Sequence, residues 1–141
     1  MLTYLIKKLT GCKFLVLPIT ICLLLNTNSK AQEIEWQKCL GGSDFDYAYS
    51  AFATNDSELI IVGYTGSNDG NVFGNHGGSD VWVIKISESD SIIWQKCFGG
   101  TGAEGGRSVL PTSDKGCIIG GTTFSNDGDV TGWHGSGDYW I

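Results

Sequence analysis

Residues 94–100 read WQKCFGG, and residues 36–42 read WQKCLGG. Working outward from this pair, residues 36–83 lie over 94–141 at an offset of 58 without a gap, and 23 of the 48 pairs are identical. The identities continue through Ile60-Ile61 and Ile118-Ile119, Gly63 and Gly121, and SNDG at 67–70 and 125–128. They close with Val72/Val130, His76-Gly77/His134-Gly135, Asp80/Asp138 and Trp82/Trp140. Repetition at a long fixed period marks an array of units, each burying against its neighbour a face it cannot bury alone.

Within one unit the pattern predicts four strands. Tyr47–Thr54 is turned by Asn55-Asp56-Ser57-Glu58 into Leu59–Thr65, and a Gly/Asn/Asp loop follows from Gly66 to Ser79. Val81–Ser87 places Trp82, Ile84 and Ile86 on one face, and Ser89-Asp90 turns the chain into Ile92–Phe98. LIIV at 59–62 is apolar on both faces, as in a strand covered on two sides. No segment shows helical periodicity.

Four antiparallel strands per unit of about 58 residues, with units packed face to face, describe a β-propeller blade. A parallel β-helix is the alternative, but its coils are shorter and the 58 residues hold no half-period echo. Trp36 and Trp94 are expected as wedges between neighbouring blades, each worth about 4–6 kcal/mol if fully covered. The Gly-Gly after each is expected to supply a positive-φ turn into the next unit.

The N-terminal segment reads as a signal peptide, residues 1–31. Lys7, Lys8 and Lys13 flank the apolar run 14–25, and Ser29-Lys30-Ala31 offers a cleavage site. Twelve apolar residues are too few for a bilayer span, which needs about 20. LTGC at 9–12 resembles a lipoprotein box but precedes the apolar run instead of following it. Cleavage after Ala31 would leave 5 basic and 15 acidic residues, a net charge of −10. Such an acidic chain without a Lys/Arg cluster argues against nucleic acid and, after signal cleavage, against a membrane surface.

Cys39, Cys97 and Cys117 remain, an odd number. Cys39 and Cys97 are expected to fill equivalent small apolar slots, since free Cys behaves as a small hydrophobe; a disulfide bridge is the alternative. The segment 32–141 is read as one unit at 36–93 and a truncated one at 94–141, fewer than two blades. A propeller closes with at least about four, so the remaining blades of a longer chain are the expected partners.

The string W-Q-K-x-x-G-G, T-x-D, I-I-x-G, S-N-D-G-D/N-V-x-G-x-H-G and D-x-W resembles the secreted bacterial β-propeller repeat proteins. The resemblance covers essentially all of 34–141. It implies export to the cell surface or the medium, in proteins that often end in a type IX secretion sorting domain, and no assigned activity.

Four residues are candidate calcium ligands: Asp69 and Asn71 in SNDGN, and Asp127 and Asp129 in SNDGD. The same residue types build metal-free turns, and that reading is preferred because a full D-x-D-x-D-G string is absent. No other cofactor is expected. His76 and His134 stand four residues before Asp80 and Asp138 and lack a third zinc ligand, so each is expected to fasten its glycine loop. No nucleophilic motif occurs, and the pairs Glu33/Glu35 and Asp44/Asp46 read as solvated edges.

Residues shared by both copies are best explained by the shared fold. Specificity is expected where the copies differ, as at Tyr49/Arg107, Glu58/Gly116, Phe73/Thr131 and Asn75/Trp133. Trp133 is the candidate ligand contact, an exposed aromatic for a sugar or a protein; packing across its own loop is the alternative. The sequence thus predicts an exported, non-catalytic propeller segment acting as a binding or adhesion scaffold. The alternative is the propeller portion of a larger secreted carbohydrate-active or hydrolytic enzyme.

Overall fold

The computed structural model describes residues 33–141. The signal-peptide expectation for 1–31 lies outside them. Residues 33–37 carry no secondary structure, and Lys38–Ile141 form a separate compact unit.

That unit is all-β, with no helix among the described residues. The first sheet runs in the order β1 (Asp46–Ala53), β2 (Leu59–Thr65), β3 (Asp80–Ile86), β4 (Ile92–Phe98). The second is β5 (Glu104–Pro111), β6 (Cys117–Thr123), β7 (Asp138–Trp140). Every neighbouring pair is antiparallel. The predicted strands agree with the first sheet to within one residue at each end. The two sheets do not close into a ring.

The repeat is carried into the register. Tyr47 pairs with Tyr64 in the first sheet, and Gly105 with Thr122, each 58 residues on, in the second. Both first strands carry a bulge at the same place, between Ala48 and Ser50 in β1 and between Gly106 and Ser108 in β5. The extra residues are Tyr49 and Arg107.

The sheets meet through a core of Ile60, Val62, Val81, Val83 and Val109, flanked by Phe52, Phe98, Cys117, Ile119 and Trp140. Strand alternation sends Trp82, Ile84 and Ile86 to the opposite face, with Val72 and Cys97. Close approach is set by glycine: a Cβ on Gly106 would lie 2.5 Å from Val62 Cγ1 and 3.0 Å from Gly63 O. Between the loops, Ser79 N donates to Gly102 O at 3.3 Å and Glu104 N donates to Ser79 O.

Three expectations need correcting. Trp94 is not covered by the second sheet: it pairs with Lys85 on the edge strand β4 and is 40 % exposed. Trp36 falls outside the compact unit. Cys97 is buried beside Trp82 and Ile84, and burial pushes its thiol up to about 12, whereas Cys39 is exposed in a segment without strand pairing. Finally, the Gly-Gly pair serves close approach more than a positive φ, which only Gly41 of the four adopts. A Cβ on Gly42 would stand 2.2 Å from Asp69 Oδ1, and one on Gly100 2.2 Å from Asp127 Oδ1.

Candidate functional site

The SNDG loops clamp the Gly-Gly turns. Asp69 Oδ1 accepts from Ser43 N at 2.7 Å, and Asn71 Oδ1 from Gly41 N at 3.4 Å. In the second copy Asp127 accepts from Thr101 N at 2.8 Å and from Thr101 Oγ1 at 2.7 Å, and Asp129 accepts from Gly99 N at 3.3 Å. The N–H of Thr101 is the main reason that Asp127 is held below the usual carboxylate range. Four proposed calcium ligands thus act as hydrogen-bond acceptors for a turn. Among the described residues no group of three His, Cys, Asp or Glu side chains is arranged to hold a metal.

His76 Nδ1 lies 2.6 Å from Asp80 Oδ2, which also accepts from His76 N at 3.1 Å. Asp80 is fully buried, and its Oδ1 has no partner. The hydrogen bond to Asp80 raises the His76 pKa, while burial raises that of Asp80. His134 repeats the pairing with Asp138 at 3.1 Å on the exposed second loop. The repeated Gln and Trp also meet: Trp82 Nε1 donates to Gln95 Oε1 at 2.8 Å, and Gln95 Nε2 donates to Phe73 O at 3.1 Å.

Trp133 is half-buried rather than exposed, and its Nε1 is enclosed without a hydrogen-bond partner. At the matching place in the first copy, Asn75 Nδ2 donates to Thr65 O at 3.3 Å and Ser67 O at 3.1 Å.

The strongest concentration of exposed, chemically versatile side chains lies elsewhere. A cleft of about 390 Å³ is lined by Phe45, Tyr47, Tyr64, Ser79, Ala103, Glu104, Gly105, Arg107, Thr122 and Phe124. Tyr64 is its hub, with ring centroids 5.9 Å from Phe45, 5.2 Å from Tyr47 and 5.7 Å from Tyr49, the last stacked at 21°. Arg107, the only arginine of the chain, reaches over from the second sheet. Its guanidinium carbon sits 4.2 Å from the Tyr49 centroid and 5.6 Å from that of Tyr64. Arg107 lowers the Tyr49 pKa, and Tyr49 in turn raises that of Tyr64.

The β5 bulge puts Arg107 into the lining of this cleft, and the β1 bulge supplies Tyr49, stacked behind it on Tyr64. A bulge adds an unpaired residue and re-aims its side chain, and here two equivalent bulges bring Tyr49 and Arg107 face to face. The sequence singles out Tyr49/Arg107 as a point of difference, and the structure joins them. Tyr47, Tyr64 and Phe45 were missed, although a signal existed. Phe45/Ala103, Asp46/Glu104, Tyr47/Gly105, Tyr64/Thr122, Gly66/Phe124 and Ser79/Gly137 all differ between copies. No lining residue of the cleft falls at an identical position, although about half of all pairs are identical.

Glu104 lines the cleft without offering it a free carboxylate. It is buried, accepting from Gly100 N at 2.8 Å, Thr123 Oγ1 at 2.8 Å and Phe124 N at 3.1 Å. Asp46, half-buried, takes the equivalent bonds in the first copy, accepting from Gly42 N at 2.8 Å and Ser67 Oγ at 3.1 Å. Such an arrangement can stack a flat or ring-shaped ligand and pair with a negative group; it holds no nucleophile–base pair. No protein-family model and no curated protein matches the chain.

Proposed function

We propose that the chain is a non-catalytic binding module of an exported, propeller-type repeat array, and that the Tyr/Arg cleft is its ligand-contacting surface. The observation that carries this reading is that every residue lining the aromatic cleft stands where the two copies differ. The turns and their clamps are made by residues common to both copies.

The propeller part of the reading draws on the same comparison. Ile60 is 4 % exposed because the second sheet covers it, whereas its repeat equivalent Ile118 is 52 % exposed. Val81 and Val83 likewise correspond to the exposed Tyr139 and Ile141. A further unit stacked in the same sense would cover that face.

The test is binding of the full chain to an array of immobilised neutral and acidic glycans and extracellular proteins. Tyr47→Ala and Arg107→Ala should each abolish the signal while leaving the circular dichroism spectrum intact. Retention of full binding by both folded variants would place the ligand elsewhere and overturn the assignment.

A further inference from the structure

We propose that the ligand of this cleft is an acidic sugar, a pyranose ring carrying a carboxylate, with the ring on the Tyr47/Tyr64 platform and the carboxylate on Arg107. The inference rests on the reading of the cleft as the ligand site and adds the chemical class.

The aromatic side comes first. Phe45, Tyr47 and Tyr49 are exposed large rings grouped around Tyr64, so the cleft offers apolar faces with polar hydroxyl edges. The C–H face of a pyranose fits such a surface, and the Tyr and Thr122 hydroxyls around it can bond the sugar's own. At about 390 Å³ the cleft lies at the small end of ligand sites, suited to one or two rings of a chain and not to a folded protein surface.

The charge side narrows the class. No carboxylate among the described residues forms an ion pair with Arg107. Its guanidinium lies over the Tyr49 ring, 4.2 Å from the centroid, and lines the cleft. A guanidinium is planar and matches a carboxylate in two parallel bonds. Glu104, the nearest acid lining the cleft, is occupied by three donors. After signal cleavage the chain would carry −10, which opposes densely charged polyanions and leaves attraction of an anionic ring to the local charge of Arg107.

Isothermal titration of the full chain tests this with free-acid trimers of galacturonate, mannuronate and guluronate. Their methyl esters, and neutral galactose and mannose trimers, serve as the comparison. At least one acid trimer should bind roughly tenfold or more tightly than its own ester. Arg107→Ala should remove that preference, Arg107→Lys should restore only part of it, and added salt should weaken the acid trimer alone. Equal affinity for acid and ester, lost in Tyr47→Ala, would overturn the acidic class and leave the cleft as the site. Binding of a neutral trimer with no acid trimer bound would do the same. No binding of any trimer by the folded chain would overturn the sugar inference, and the array experiment above then judges the cleft by itself.

Discussion

Asp127 takes the N–H and the hydroxyl of Thr101, and 58 residues earlier Asp69 takes the N–H of Ser43. These bonds explain why SNDG and Gly-Gly are repeated together: the carboxylate needs a turn with no Cβ in its way. Gly100→Ala should destabilise the fold by about 1–3 kcal/mol, because a Cβ would stand 2.6 Å from Asp127 O, which cannot swing aside. Urea titration would measure it. Calcium at millimolar concentration, against EDTA, should leave the Tm unchanged, because the loop oxygens already bond the turn's N–H groups. A rise of several degrees would restore the calcium reading. His76 should titrate above the ordinary imidazole value near 6.5, followed by NMR of its ring, and Asp80→Asn should bring it down. A raised folded-state pKa means that this contribution is whole below about pH 6.5 and is lost as the pH rises through the folded value. Asp80, raised by burial, shifts stability in the same direction, toward acid.

At the scale of elements, the β5 backbone lies against the first sheet only because Gly106 has no side chain. Gly106→Ala should cost about 1–3 kcal/mol, since its Cβ would meet Val62, Val81 and the backbone of Gly63. Thermal unfolding of the purified variant checks it. The strands themselves were legible: alternation, apolar runs and turn residues place β1–β4 to within a residue. The bulges were not, because one inserted residue leaves no mark on composition and yet decides where Tyr49 and Arg107 point. Trp94 misled for a related reason. A large apolar side chain suggests burial, but its strand lies at the sheet edge, with no opposing strand among the described residues. For Trp133 the sequence leaves exposure and packing across its own loop both open; the side chain is half-buried with its Nε1 enclosed. The cleft's members come from five separated stretches and become neighbours only once the sheets are stacked.

Across the whole molecule the repeat sets up an internal comparison. Ile60→Ala should cost about 2–5 kcal/mol, as a large-to-small change in a covered core. Ile118→Ala, the same change at the equivalent position, should stay within about 0.5 kcal/mol in this chain. In a longer array that stacks a third unit on the second, the two costs should become alike. The division of labour follows the same lines. Shared residues build turns and clamps, and the positions where the copies differ line the Tyr/Arg cleft beside two equivalent bulges. The most direct measurement is a ¹⁵N/¹³C NMR titration of the full chain with an acidic sugar trimer. The account predicts shifts in the Arg107 side-chain N–H and in the rings of Tyr47, Tyr49 and Tyr64, with the Trp133 indole unmoved. Shifts gathered on Trp133 and its loop, with the Arg107 and tyrosine signals still, would contradict it.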